Sequence, residues 1–295
     1  MPLIFNKEMP VYKKFEEKRP QSLATEALNR DGKVINLLFF NLMKNKAEAE
    51  EQFLRCLSAS KYTINVEFLR QTAYKSASDK EYLEQFYLSL DDVKDRYFDA
   101  MIITGAPLDQ LDFEDVYYWD EVCSILDWSK TNVKSVFHSC WGALAGLYHD
   151  FGVHTVRLPK KVSGIFKVDV FDPNEKLFAG IDTEVWAPIS RAMDIDINDV
   201  KENKGLIALA GRKGKPPVYL KSADNKLLYS TAHPEYGRER LMYEYNRDKD
   251  REYVYKVGVP KHYFPDDNPE ATPLSYWIKD ADKLFENWIE FYVAQ

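Results

Sequence analysis

From residue 34 onward, apolar runs alternate with amphipathic stretches four times, and this alternation constrains the fold more than any other feature of the chain. Val34-Ile35-Asn36-Leu37-Leu38-Phe39-Phe40 has the length and apolar character of a strand buried on both faces. Residues 46–59 follow, with Phe53, Leu54 and Leu57 at helical spacing and Glu48, Glu50 and Glu51 early, where carboxylates suit the helix dipole. Residues 62–69 then alternate as a strand and 80–88 read as a helix; 98–105 form a strand ending in a glycine turn, and 114–129 a helix. Residues 133–138 read as a strand running directly into a helix over 141–149. Four such units predict an α/β fold: an open, mostly parallel sheet with helices on both faces and right-handed crossovers. Ligands in such sheets bind at the carboxyl ends of the strands. Further on, 205–210, 218–221 and 227–231 read as strands, with room for antiparallel ones, and 239–248 and 273–293 as helices. The Pro- and Asp-rich stretch 260–269 reads as a loop. Residues 1–33 are weakly periodic and read as an N-terminal arm packed on a single domain of residues 34–295.

Charge and cysteine usage narrow the function. Forty basic against 47 acidic residues leave a net charge of −7, which argues against nucleic acid, whose binding needs a basic field to displace counterions. Small-molecule chemistry or protein partners fit better. Three cysteines among 295 residues are too few for a disulfide framework and indicate a reducing compartment. No apolar run approaches the roughly 20 residues that span a bilayer. Lys7 and Glu8 interrupt the place where a signal peptide carries its apolar stretch. The expectation is a cytoplasmic protein with no membrane association. No Cys/His pair has zinc-ligand spacing, so no metal is expected.

Chemistry concentrates at Phe137-His138-Ser139-Cys140-Trp141-Gly142-Ala143, where Cys140 falls between a buried strand and a helix. A side chain at such a turn projects from the sheet edge like a nucleophile elbow. The helix N-terminus favours a thiolate there, and its free N–H groups, that of Trp141 first, can hold an oxyanion. Cys56, beside Phe53 and Leu57, and Cys123, between Val122 and Ser124, read as packing residues. Of five histidines, His233 in Ser230-Thr231-Ala232-His233-Pro234-Glu235 is the best base: a strand ends there, and Glu235 follows at a spacing that can orient an imidazole. His138 reads as a buried structural polar residue, and His149 and His154 flank a helix end. Glu244 and Arg247 stand three apart on one predicted helix and so share a face, a pairing that by itself reads first as an ordinary surface ion pair and that also suits the zwitterionic end of an amino acid.

The elbow with His-Pro-Glu resembles the class I glutamine amidotransferase-like architecture, which implies a flavodoxin-like sheet and a Cys140–His233–Glu235 triad. The resemblance sharpens along the chain. Asn41-Leu42-Met43, Glu50-Glu51-Gln52-Phe53-Leu54-Arg55, Ile103-Thr104-Gly105-Ala106-Pro107, Cys140-Trp141-Gly142, Ala187-Pro188, Ser190-Arg191, His233-Pro234-Glu235 and Tyr263-Phe264-Pro265 look like the homoserine O-acyltransferase family, in that family's order. The resemblance implies a ping-pong transfer from an acyl-CoA through a thioester on Cys140, with no permanently bound cofactor. His233 would act as base and Glu235 as its orienting group. Lys161, Ser190 and Arg247 match the family's substrate-binding lysine, serine and arginine. A homodimer is the expected assembly.

Asp109 falls where the family separates donors, glycine going with succinyl and glutamate with acetyl transfer. An acidic residue there would repel the free carboxylate of a succinyl group, so acetyl-CoA is the expected donor. Two departures bear on the acceptor. Ile189 replaces the histidine of the family's Ala-Pro-His-Ser-Arg, and Met43-Lys44-Asn45-Lys46 replaces Met-Pro-Lys-Lys. Serine is one methylene shorter than homoserine, a difference worth only about 1–3 kcal/mol of discrimination. The expectation is therefore homoserine O-acetylation, with serine O-acetylation next, homoserine O-succinylation after it, and a glutamine amidotransferase-like hydrolase as the reading from another class.

Overall fold

A computed structural model describes residues 3–24, 34–73, 79–250 and 257–295. Eleven strands among these residues form one sheet: β1 (Leu3–Ile4), β2 (Val34–Phe40), β3 (Thr63–Leu69), β4 (Tyr87–Leu88), β5 (Phe98–Ile103), β6 (Val133–Ser139), β7 (Thr155–Val170), β8 (Glu184–Ile195), β9 (Leu206–Gly211), β10 (Pro217–Ser222) and β11 (Leu227–Ser230). Their spatial order is β1–β3–β2–β5–β6–β11–β10–β9–β7–β8, with β4 also beside β3. Every pairing from β1 to β11 is parallel, and those from β11 on to β8 are antiparallel. The helices are α1 (Pro10–Lys18), α2 (Lys46–Leu57), α3 (Lys80–Phe86), α4 (Leu90–Val93), α5 (Trp119–Asn132), α6 (Trp141–Phe151), α7 (Ile197–Glu202), α8 (Arg240–Asp248) and α9 (Ile278–Trp288).

Strand alternation builds two cores from one run of sequence. Ile35, Leu37 and Phe39 of β2 face one side, against Phe53, Leu54 and Leu57 of α2 and Leu284, Phe285 and Trp288 of α9. Leu38 and Phe40 face the other, against Val122, Ile125 and Leu126 of α5 and Leu144 and Leu147 of α6. Both faces of the parallel half are thus covered, which is why β2 reads as a continuous apolar run. A third cluster (Ile165, Tyr236, Leu241, Tyr263, Phe264, Trp277) lies under α8 and fixes its height above the sheet.

Several elements differ from expectation. The helix over 80–88 stops at Phe86, because Tyr87 and Leu88 pair with Phe68 and Leu69. The helix expected from 114 starts at Trp119, preceded by a single 3-10 turn over Phe113–Asp115. The last helix spans Ile278–Trp288 and runs into a π-helical turn over Ile289–Val293. Most consequential is the long hairpin of β7 and β8, absent from the sequence reading. Pro188 interrupts β8 with a residue that cannot donate to a ladder, but β8 is the edge of the sheet, where proline is tolerated. At the opposite edge, residues 3–24 contribute β1, in register with Ile64 and Asn65 of β3.

Candidate active site

The parallel register of β6 and β11 assembles the site. Ser139 pairs with Ser230, so the residues that leave the carboxyl ends of these neighbouring strands meet. The Cys140 N–H donates to the Ser230 carbonyl at 2.8 Å, pinning one turn to the other strand. Cys140 then turns at φ 53°, ψ −122° and caps α6. A non-glycine residue in that conformation costs about 1–3 kcal/mol and persists only where its surroundings impose it. Here the glycines around it allow close packing. A Cβ on Gly142 would lie 2.5 Å from the Thr104 carbonyl oxygen, and one on Gly105 would lie 2.9 Å from the Cys140 Cβ and 3.2 Å from its Sγ. The β5 turn therefore passes directly beside the sulfur, and Trp141 begins the helix whose first N–H groups lack intrahelical acceptors.

His233 is buried next to Cys140. Its N–H donates to the Pro188 carbonyl at 2.8 Å, and its ring stacks on Tyr236 with centroids 4.1 Å apart. Nδ1 lies 2.8 Å from Glu235 Oε1, while Ser139 Oγ donates to Glu235 Oε2 at 3.3 Å. Burial pulls the imidazole pKa down. The charges of Cys140 and Glu235, with hydrogen bonds to both, outweigh that and hold it at about 10. The other cysteines behave differently: burial pushes the Cys56 thiol up to about 12 and the Cys123 thiol up to about 11. His138, fully buried and stacked on Tyr229, is pushed down to about 4 by burial, and its ring Nδ1 faces the Leu228 carbonyl at 3.1 Å.

Cys140 and His233 open into a cleft of about 700 Å³. Met43, Ala106, Pro107, Asp109, Trp141 and Leu144 line it together with Lys161, Ser190, Arg191, Tyr236, Arg240, Glu244 and Arg247. The β7–β8 hairpin delivers Lys161 and Ser190, for Ser163 pairs with Ser190 and Val162 with Arg191. Glu244 is the hub of this wall. It accepts from Ser190 Oγ and, at 2.8 Å, from Tyr236 OH. Lys161 Nζ lies 3.5 Å and Arg240 Nη2 3.2 Å from its oxygens. Burial pushes the Glu244 carboxyl up, but Lys161, Arg240, His233 and the Ser190 hydroxyl outweigh it and take it down to about 2. Arg247 meets Asp248 through Nε at 2.5 Å and Nη2 at 2.7 Å, and Lys161 reaches the same carboxylate at 3.3 Å.

Nine of the ten residues singled out from sequence line this cleft or stand directly behind it. The exception is Ile189. It is 2% exposed and belongs to the core with Ala187, Phe178 and Val185, because alternation along β8 sends residue 189 to the face opposite Ser190. Ile189 is therefore the one expected site residue that the structure does not bring to the cleft. The second departure also falls outside the cleft, except at Met43. Asn45 caps α2, its side chain accepting from the Glu48 N–H, and Lys46 is buried with Nζ donating to the Asn41 carbonyl at 2.7 Å. Sequence reasoning missed Tyr236 and Arg240. Their signal was present in the spacing: Arg240 stands four residues before Glu244 on α8, and Tyr236 follows Glu235 immediately.

A cysteine on a strand–helix elbow, a histidine just past the end of the neighbouring parallel strand and a carboxylate behind it are the arrangement that nucleophilic transfer or hydrolysis needs on an α/β sheet. The fold has solved counterparts. A glutamine amidotransferase from Thermotoga maritima shares it at TM-score 0.56 and 12% identity, over 88% of this chain and 99% of that one. A structure titled SMU.1228c shares it at TM-score 0.57 and 16% identity, over 86% of this chain and 97% of that one. The family model described as "Homoserine O-succinyltransferase" matches residues 2–295. A protein named homoserine O-acetyltransferase from Geobacillus kaustophilus is 38% identical over 100% of this chain and 98% of its own length. Another of that name, from Methanomethylophilus alvi, is 40% identical over 91% of this chain and 87% of its own length. The chain belongs to the homoserine O-acyltransferase family, and it is an acyltransferase. Among the described residues, no helix is long and apolar enough to cross a membrane.

Proposed function

We propose that the chain transfers an acetyl group from acetyl-CoA to the side-chain hydroxyl of L-homoserine, in two half-reactions through a thioester on Cys140. The observation that carries this reading is the Cys140–His233–Glu235 line opening onto a cleft that is lined both by Asp109 and by Glu244, Lys161 and Arg247.

In the first half-reaction the Cys140 thiolate attacks the carbonyl carbon of the donor thioester. The tetrahedral oxyanion is held by N–H groups at the elbow, that of Trp141 first. The carbon–sulfur bond to CoA breaks, and the imidazolium of His233 protonates the departing thiolate. Acylation removes the Cys140 charge, one of the two charges that raise the His233 pKa. The imidazole, left neutral by the proton it gave to CoA and no longer held protonated by that charge, can accept a hydroxyl proton, and Glu235 keeps it oriented. In the second half-reaction the homoserine hydroxyl gives its proton to His233, its oxygen bonds to the acyl carbon, and the Cys140 thiolate leaves. The amino-acid end faces Glu244 for its ammonium and Arg247 and Lys161 for its carboxylate, with Ser190 held on Glu244 between them.

Homoserine is favoured over serine because the residue that suggested a reshaped acceptor pocket, Ile189, packs in the core. Acetyl is favoured over succinyl because Asp109 lines the cleft. Two like charges about 5 Å apart at an effective dielectric near 20 repel by ~3 kcal/mol, about a hundredfold in rate. A direct test offers acetyl-CoA or succinyl-CoA with equal homoserine and serine and measures the O-acyl products by mass spectrometry. Wild type is expected to give mainly O-acetylhomoserine. Asp109→Gly is expected to raise the use of succinyl-CoA relative to acetyl-CoA by about 10–100-fold. An unchanged donor ratio would remove Asp109 from the account, and mainly O-acetylserine would reverse the acceptor.

A further inference from the structure

The active cleft adjoins a second, larger groove of about 1320 Å³, lined by residues of α1, α2 and the start of α8. Arg240 lines both. The chemistry dictates which way the donor points. If the acyl group lies toward Asp109, the donor sulfur lies on the His233 side, where it collects its proton, and the rest of CoA leaves the cleft past Tyr236 and Arg240. Arg240 joins that exit to the groove.

Its walls suit an anionic nucleotide. Lys14, Arg19, Arg55, Arg238 and Arg240 face Glu48, Glu51 and Glu239 across it. Several of these charges are already paired: Arg240 with Glu48 at 2.6 Å, Lys14 with Glu51 at 2.9 Å, and Arg55 with Asp282 at 2.5 Å. Arg238 donates to the neutral Ser275 hydroxyl at 3.0 Å and makes no ion pair among the described residues, and Arg19 is exposed at the end of α1. Beside them Tyr243 leaves its ring 55% exposed, with the Arg240 guanidinium 5.4 Å from its centroid. Guanidinium groups match phosphate oxygens, and an exposed aromatic face matches a base.

We infer that this groove holds the 3′-phospho-ADP end of CoA, with Arg19 and Arg238 on its phosphates and Tyr243 against its adenine. The inference rests on the acyl-CoA reading of the cleft. It divides the donor in two: the cleft handles the thioester and the groove handles the nucleotide.

The test compares acetyl-CoA with acetyl-pantetheine, which carries the thioester without the nucleotide. The double variant Arg19→Ala/Arg238→Ala and the single variant Tyr243→Ala are each expected to raise KM for acetyl-CoA about tenfold or more. KM for acetyl-pantetheine and kcat with either donor should stay near wild type. Calorimetry with adenosine 3′,5′-bisphosphate supplies a readout without turnover. Wild type is expected to bind it, and the double variant to bind it at least about tenfold more weakly. Equal losses on both donors, or wild-type affinity of the double variant for the bisphosphate, would overturn the assignment. Wild-type protein that turns over neither donor yet binds the bisphosphate through Arg19 and Arg238 would sink the acyl-transfer reading and leave the groove standing.

Discussion

Cys140→Ala is expected to lower acyl transfer by about a thousandfold or more while the fold persists. The sulfur makes the covalent bond, so nothing else in the cleft substitutes for it. The backbone that surrounds it is held independently, through the Ser230 carbonyl on one side and the Ala143 and Leu144 N–H groups on the other. The same variant has a second signature. With the Cys140 charge gone, His233 loses a main support for its raised pKa, and its imidazole should titrate well below about 10. NMR of the ring carbons reads this directly. The sign for stability follows from the direction of the shift. A histidine raised in the folded state contributes stability that is fully present below the unfolded value, about 6.5, and is lost as pH rises through the folded value of about 10. Wild type should therefore lose stability more steeply than Cys140→Ala in the upper part of that window, above about 8.5 where the unfolded thiol has also lost its proton, in urea titrations at a series of pH values. A Cys140→Ala protein that still turns over acetyl-CoA would remove the nucleophile from the scheme.

Glu235→Gln is the second large effect. The amide keeps the shape of the carboxylate but not its charge, so the imidazolium loses its partner at 2.8 Å and the tautomer is no longer set. A drop in kcat of about 10²–10⁴ is expected, with KM for homoserine changed little, because Glu235 lies behind His233 and away from the Glu244 wall. A KM effect without a kcat effect would make Glu235 a packing residue. Ser139 offers a comparison: its hydroxyl donates to the other Glu235 oxygen at 3.3 Å, so Ser139→Ala should cost far less.

Much of this site was legible because its parts sit where local rules are strict. The elbow at Cys140 is announced by an apolar strand that becomes a helix without a loop, and the β6–β11 register then makes its meeting with His233 unavoidable. Helix α2 and strand β2 declare themselves by period alone. The β7–β8 hairpin does not. Strand β7 carries Arg157, Lys160, Lys161 and Lys167 on partly exposed faces, and β8 contains Pro188, so neither shows clean alternation. That omission explains why Ile189 was grouped with Ser190: without a strand, nothing said that residues 189 and 190 point to opposite sides. It also hid why Lys161 and Ser190, twenty-nine positions apart, serve one carboxylate. Tyr236 and Arg240 went unmarked because their importance lies in the hub at Glu244, which only the packing of α8 on Tyr263 and Trp277 creates.

The central claim is a covalent acetyl group on Cys140, and one measurement addresses it with no second substrate. Purified protein is mixed with acetyl-CoA in the absence of any amino acid, quenched in acid, and examined by intact mass and peptide mapping. The expected result is a single added acetyl group on the peptide carrying Cys140, discharged on addition of homoserine and absent from Cys140→Ala. Unmodified protein that nevertheless forms product when both substrates are present, or acetyl groups only on lysines, would contradict it.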